Sequence, residues 1–150
     1  MKRIIITTAA GQLSSQQTAS LQALLVHHYK MHISPGPVQV LWSYLPTENI
    51  YHDYQLGLQS IVAFEGIDGL SQTQRVALFE AITQGWLQVT DQRIDQLVLS
   101  VPDRSVFQAM VRRNLQQVTL QGRFMLSLRL FTGLLRSRLF KGYYSFSSSY

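Results

Sequence analysis

Some side chains in this sequence have the types and spacing for chemistry. His28 and His32 are four residues apart, so a helix would carry both imidazoles on one face, as a divalent metal requires. Lys2 stands beside Arg3; burial would lower its pKa and make the amine a Schiff-base nucleophile or general base. Tyr51, His52, Asp53 and Tyr54 form a polar aromatic run in which His52-Asp53 is half of a catalytic relay, although sequence neighbours rarely bond as one. Each has a plainer reading: a solvated strand-end lysine, a helix-surface histidine pair, a packed loop. The chain has four histidines and no cysteine, so no metal site is assigned and thiolate chemistry is excluded.

The elements that must position these residues come from a duplication. Shifted by about 57 positions, the sequence overlays itself, and Leu13-Ser14-Ser15-Gln16-Gln17 falls on Leu70-Ser71-Gln72-Thr73-Gln74. Both Ser-x-x-Gln stretches are capping boxes that start a helix, the serine oxygen accepting from the N3 amide while the glutamine reaches back to the cap. Leu21, Leu24, Leu25 and His28 then recur at helical spacing, as do Leu78, Ile82, Trp86 and Val89. Arg3–Ala9, Val38–Leu45, Ser60–Glu65 and Ile94–Val101 are rich in β-branched and aromatic residues and read as strands. Two β-α-β units with right-handed crossovers, joined by the loop Pro46–Gly57, predict an α/β (α+β) fold: a four-stranded mixed sheet with both helices on one face. The opposite face, to which Trp42, Val62, Phe64 and Val98 or their neighbours are assigned, then needs a cover.

Charge divides the chain. Residues 1–103 carry all eight acids and a net charge of −3, whereas residues 104–150 carry eight cations and no acid. The division predicts a β-α-β-β-α-β domain over 1–103, a basic helical arm over 104–141 and a frayed tail over 142–150. In the arm, Val106, Phe107, Met110 and Val111 suit one amphipathic helix, and Phe124, Met125, Leu128, Phe131, Leu134 and Leu135 a second. Such an arm would cover a neighbouring subunit, lie on an anionic membrane surface or meet nucleic-acid phosphates. No segment approaches the roughly 18 apolar residues of a membrane span, and the N-terminus reads as a strand rather than a signal peptide, so the expected location is the cytoplasm.

Two stretches resemble the tautomerase superfamily, which includes 4-oxalocrotonate tautomerase, malonate semialdehyde decarboxylase and macrophage migration inhibitory factor. The loop Leu45-Pro46-Thr47-Glu48-Asn49-Ile50-Tyr51-His52-Asp53-Tyr54-Gln55-Leu56-Gly57 is similar to the Pro-x-acid-x-Ile-Tyr…Leu-Gly loop of decarboxylase-like members. Ser71-Gln72-Thr73-Gln74-Arg75-Val76-Ala77-Leu78-Phe79 is similar to their Ser/Thr-x-x-Gln-Lys/Arg-x-x-Leu-Phe/Tyr helix, and with the strands the resemblance spans residues 2–102. It implies a trimer, no cofactor, and an N-terminal proline as the proton-transfer group. Here Lys2 stands at the proline's position, Leu70 replaces a substrate-clamping arginine, Ser34-Pro35-Gly36-Pro37 replaces the acidic residue ahead of the second strand, and Arg104-Ser105-Val106-Phe107-Gln108 replaces the signature after the last strand.

The expectation is a diverged tautomerase-family homo-oligomer with weak or no tautomerase activity, binding a small anionic ligand, such as a carboxylate, or a protein partner. Lys2 is the candidate catalytic residue, and Arg75, Tyr51 and His52 are the candidate ligand-binding residues beside the ancestral pocket. The alternatives are an active isomerase or decarboxylase on a small 2-oxo acid with a rebuilt site, and a membrane-peripheral or nucleic-acid-associated protein working through its basic arm.

Overall fold

The computed structural model describes residues 2–52, 55–116, 132–140 and 142–147. Strand β1 (Lys2–Ala9) leads into helix α1 (Ser15–His32), and β2 (Val38–Leu45) follows. A two-stranded ribbon, β3 (Tyr51–His52) and β4 (Gln55–Leu56), fills the inter-repeat loop. The second unit is β5 (Ser60–Phe64), α2 (Gln72–Val89) and β6 (Leu97–Ser100), after which come α3 (Arg104–Gln116), α4 (132–140) and β7 (Tyr144–Ser147). Both long helices begin at the expected capping boxes, Ser14 with Gln17 and Ser71 with Gln74. Each box satisfies amide groups that an uncapped first turn would leave without partners.

The sheet has five strands in the order β6-β5-β1-β2-β7, one more than the four expected. Within each unit the strands run parallel, and β1 meets β5 antiparallel. The extra strand corrects the reading of 142–150 as a frayed tail, because Tyr144–Ser147 pairs in parallel with Leu41–Tyr44. Its Tyr-Ser-Phe-Ser alternation suits an edge strand, and pairing gives the exposed amides of β2 partners.

The side of the sheet facing α1 and α2 is fixed by register. Ile4 lies opposite Val40 and Phe64, and Ile6 opposite Trp42 and Val62. All six are buried together with Leu21, Leu25 and Tyr29 of α1 and Leu78, Ile82 and Trp86 of α2. Trp42, Val62 and Phe64 therefore belong to the helix-covered face, which corrects their assignment to the bare one. Side chains alternate along a strand, so the outer face holds Ile5, Leu41, Ile61 and Val98, of which Ile61 and Val98 are exposed. The two helices approach so closely that a Cβ on Gly85 would lie 2.6 Å from the Leu24 side chain.

Of the expected arm helices, the first exists as α3, with Phe107 buried and Val106 and Met110 exposed. Phe124, Met125, Leu128 and Phe131 of the second lie outside the described residues; Leu134 and Leu135 lie on α4. Among the described residues no helix is long and apolar enough to cross a membrane.

Candidate functional site

Antiparallel pairing of β1 and β5 brings the start of one strand to the end of the other, and three charged side chains meet there. The Glu65 amide donates to the Arg3 carbonyl at 2.8 Å, continuing the ladder past Phe64. Arg3 and Glu65 thus lie side by side on the outer face, where the Arg3 Nε donates to Glu65 Oε2 at 3.2 Å. From the start of α3, Arg104 Nε lies 3.6 Å from the other carboxylate oxygen, Oε1. The Glu65 side chain is 1% exposed, while those of Arg3 and Arg104 are 38% and 51% exposed. Tyr29 of α1 fixes the strand end from the other side, its hydroxyl donating to the Glu65 carbonyl at 2.6 Å. Burial, and then the Glu65 carboxylate, push the Tyr29 phenol up to about 12, so it remains a donor at neutral pH.

Helix α3 closes one side of this cluster. Phe107 is 1% exposed, and the Arg3 guanidinium lies over its ring, 5.8 Å from the centroid. The Gly66 amide donates to the Pro102 carbonyl at 3.1 Å, an approach that a Cβ on Gly66 would block at 2.6 Å from the same oxygen. Asp68 accepts from the Ser105 amide at 2.9 Å and from its hydroxyl at 2.8 Å. Those two bonds hold the Asp68 carboxyl below its ordinary range. An acid at the first turn of α3 also meets the positive end of the helix dipole.

Two guanidinium groups face one buried carboxylate, with the Asp68 carboxylate also within electrostatic reach of Arg104. Among the described residues, each arginine uses only its Nε toward Glu65, leaving terminal N–H groups for a further acceptor. The arrangement is suited to a small carboxylate or other anion, which guanidinium recognises through paired hydrogen bonds.

The residues singled out from sequence are not gathered here. Lys2 is half-buried and paired with Val38, and alternation places it on the face of Ile4, opposite Arg3 and Glu65. Arg75 is fully engaged: its Nε donates to the Leu70 carbonyl at 3.3 Å, and its terminal nitrogens donate to the Val101 carbonyl and the Asp103 carboxylate. It ties α2 to the β6–α3 junction, and a ligand would have to displace Asp103 to reach it. Tyr51 is 62% exposed and lines a 190 Å³ cavity with Thr7, Ile50 and Ile61, beyond the far end of β1. His52 is described in its backbone, paired with Gln55; its side chain, Asp53 and Tyr54 lie outside the described residues.

The His28 and His32 rings do share a face, stacked with centroids 5.8 Å apart. His28 Nδ1 is buried without a hydrogen-bond partner, and burial, then the charges of His27 and His32, lower its pKa. Among the described residues no group of three or more His, Cys, Asp or Glu could hold a metal ion. Sequence reasoning missed Arg3, Glu65 and Arg104. The available signal was an acid closing one predicted strand, an arginine opening another, and an arginine at the charge boundary.

No family model and no curated protein matches the sequence. Solved structures do match. Native Ps01740 is 25% identical with a TM-score of 0.63, over 67% of this chain and 92% of that one. The F6 fused 4-OT asymmetric trimer is 22% identical with a TM-score of 0.60, over 67% and 85%. FG41 malonate semialdehyde decarboxylase inhibited by 3-bromopropiolate is 14% identical with a TM-score of 0.56, over 67% and 81%. The likeness to these structures over two thirds of its length gives this chain the tautomerase-superfamily fold.

Proposed function

We propose that this protein is a self-assembling, diverged member of the tautomerase superfamily that binds a small carboxylate at Arg3 and Arg104 and has weak or no tautomerase activity. The observation that carries the reading is the pair of part-exposed guanidinium groups on buried Glu65, at the sheet end where β1 begins. Lys2 occupies the place at which the family resemblance calls for a proline, and its primary amine lies on the other face of the strand from that pair. Small carboxylates suit structures of this fold: one similar protein is described as inhibited by 3-bromopropiolate and another, Pt0534, as inactivated by 2-oxo-3-pentynoate. Three similar structures of fused 4-OT are trimers, and the exposed Ile61 and Val98 on the outer face here suit burial against further copies, as a trimer.

Phenylpyruvate tests the reading, as ligand and as substrate. Calorimetric titration should show saturable binding that weakens at least tenfold in Arg104→Gln, with an unchanged circular dichroism spectrum. Ketonisation of its enol should stay near the uncatalysed rate. Failure to bind, or equal binding by Arg104→Gln, refutes the carboxylate site. Rapid ketonisation that disappears in Lys2→Ala would instead establish an active isomerase with a rebuilt amine.

A further inference from the structure

A second site lies at the opposite end of β1. The loop after that strand, the first turns of α1, the end of β2 and the C-terminal elements enclose a cavity of about 640 Å³, within the range of small-molecule sites. Tyr44, Tyr143 and Phe140 supply aromatic walls, while Ala10, Gly11 and Ala19 leave the space between them. Gly11 turns the chain there with φ +78°, a conformation that a side chain would strain.

The chemistry of the walls narrows the ligand. None of the described lining residues carries a charge, unlike the cluster at Arg3. The Tyr44 hydroxyl donates to the Tyr143 hydroxyl at 3.4 Å, a long contact that a better-placed polar group would displace. Burial, and then the Tyr143 hydroxyl, hold the Tyr44 phenol above its ordinary ionisation against an opposing hydrogen bond with Thr18, so it stays protonated at neutral pH. Behind Tyr44 the Trp42 ring stacks at 6.5 Å and 12°, and it meets Tyr143 edge-on at 6.4 Å. The walls are therefore held in place by packing beneath them. Phe140, at the end of α4, is 81% exposed, which leaves the ring free to close over a bound ring.

We infer that this cavity binds an uncharged planar aromatic molecule bearing a hydroxyl group, stacked among Tyr44, Tyr143 and Phe140 and hydrogen-bonded to the two phenols. Aromatic stacking and paired hydroxyls discriminate such a ligand from an aliphatic one. The absence of a cation in the described lining discriminates it from the corresponding carboxylate.

The indole N–H of Trp42 is buried without a hydrogen-bond partner, so its NMR signal reports directly on the wall behind the site. Trp86 is the only other tryptophan, and its indole donates to Gln92 at 2.8 Å and is not among the described lining residues. Titration of the full-length protein with 2-naphthol should move the Trp42 indole cross-peak saturably and leave that of Trp86 in place. Ala19→Phe, which fills the cavity, and Tyr143→Phe, which removes one hydroxyl, should each weaken binding at least fivefold. The charged analogue 2-naphthoate should leave the Trp42 signal unmoved. No saturable shift with 2-naphthol, undiminished binding in both variants, or a stronger Trp42 response to 2-naphthoate would each overturn the inference.

Discussion

Phe107→Ala should release α3 from the sheet while leaving the two-unit core folded. Phe107 is the buried anchor of α3, with Val106 and Met110 exposed on the same helix. Truncating a buried phenylalanine costs about 3–5 kcal/mol. Its contact with the Arg3 guanidinium, 5.8 Å from the ring centroid, adds roughly 0.5–1 kcal/mol. The low end applies, about 3 kcal/mol, because the ring sits at one end of the sheet where neighbours can relax into the space. Against this stand the polar ties of α3: Arg104 with Glu65, Ser105 with Asp68, and Asp103 with Arg75. Arg75 and Asp103 are part-exposed, and such ion pairs contribute roughly 0–1 kcal/mol; Arg104 is half exposed, and solvent screens its pull on Glu65. Removing the anchor therefore takes away about as much as all the polar ties supply. Native-state hydrogen exchange should show α3 amides falling to near-unprotected rates, with Ile4 and Ile6 of β1 still strongly protected. The carboxylate affinity should fall with it, because Arg104 rides on α3. If the α3 amides stay protected and the loss is below about 1 kcal/mol, the polar ties hold the helix and the packing argument is wrong.

Other perturbations follow from single contacts. Gly66→Ala should destabilise by about 1–3 kcal/mol in urea unfolding, because its Cβ would meet a backbone oxygen, that of Pro102, at 2.6 Å. Tyr29→Phe should cost about 1–3 kcal/mol by leaving the Glu65 carbonyl without its donor; wild-type protein should also lose this contribution as pH rises from 10 toward 12, since the folded phenol titrates higher than the unfolded one. Asp68 has the opposite sign: its lowered folded pKa makes its contribution complete above the ordinary 3.8 and lost as pH falls through the lowered value. Acid titration followed at the Ser105 amide should show that loss, and Asp68→Asn should abolish the dependence. Val98→Lys on the outer face should shift the light-scattering mass from a multiple of 17.1 kDa toward the single chain.

What the sequence revealed was local. The capping boxes at Ser14 and Ser71 use groups three residues apart, so they were legible in the order of residues alone. The phase of the strands was not. In β2, Val40 and Trp42 face the helices while Leu41 faces outward, and all three are apolar, so alternation carries no sign until β1 and β5 supply the register. The strand Tyr144–Ser147 was hidden because its serine-rich continuation reads as a chain end, and only the open edge of β2, about a hundred positions earlier, gives it a partner. Glu65 meets Arg3 from 62 positions away, a distance that only the antiparallel junction of the two repeats spans.

The two ends of the β1–β5 junction hold different chemistry on opposite faces of the sheet. Alternation from buried Ile4 and Ile6 places Thr8, with its partner position Ser60, on the helix-covered face, and Arg3, with Glu65, on the outer one. At one end Ser60 donates to Gln92 at 2.9 Å, Thr8 donates to Gln12 at 2.7 Å, and the two hydroxyl oxygens lie 3.3 Å apart. Ser60 and Thr8 are fully buried, and these four side chains are neutral, so their hydrogen bonds satisfy one another inside the fold. At the other end, on the outer face, an arginine and a glutamate lie side by side, and one carboxylate faces two guanidinium groups. The second guanidinium comes from Arg104, at the start of the helix that follows the second repeat. The hydroxyl network is internally satisfied, whereas, among the described residues, the part-exposed arginines use only their Nε toward Glu65. Replacing the charged pair with neutral hydroxyls, Arg3→Ser with Glu65→Thr, should therefore preserve the fold and abolish carboxylate binding. Retained binding in that double variant would place the anion site somewhere other than this junction.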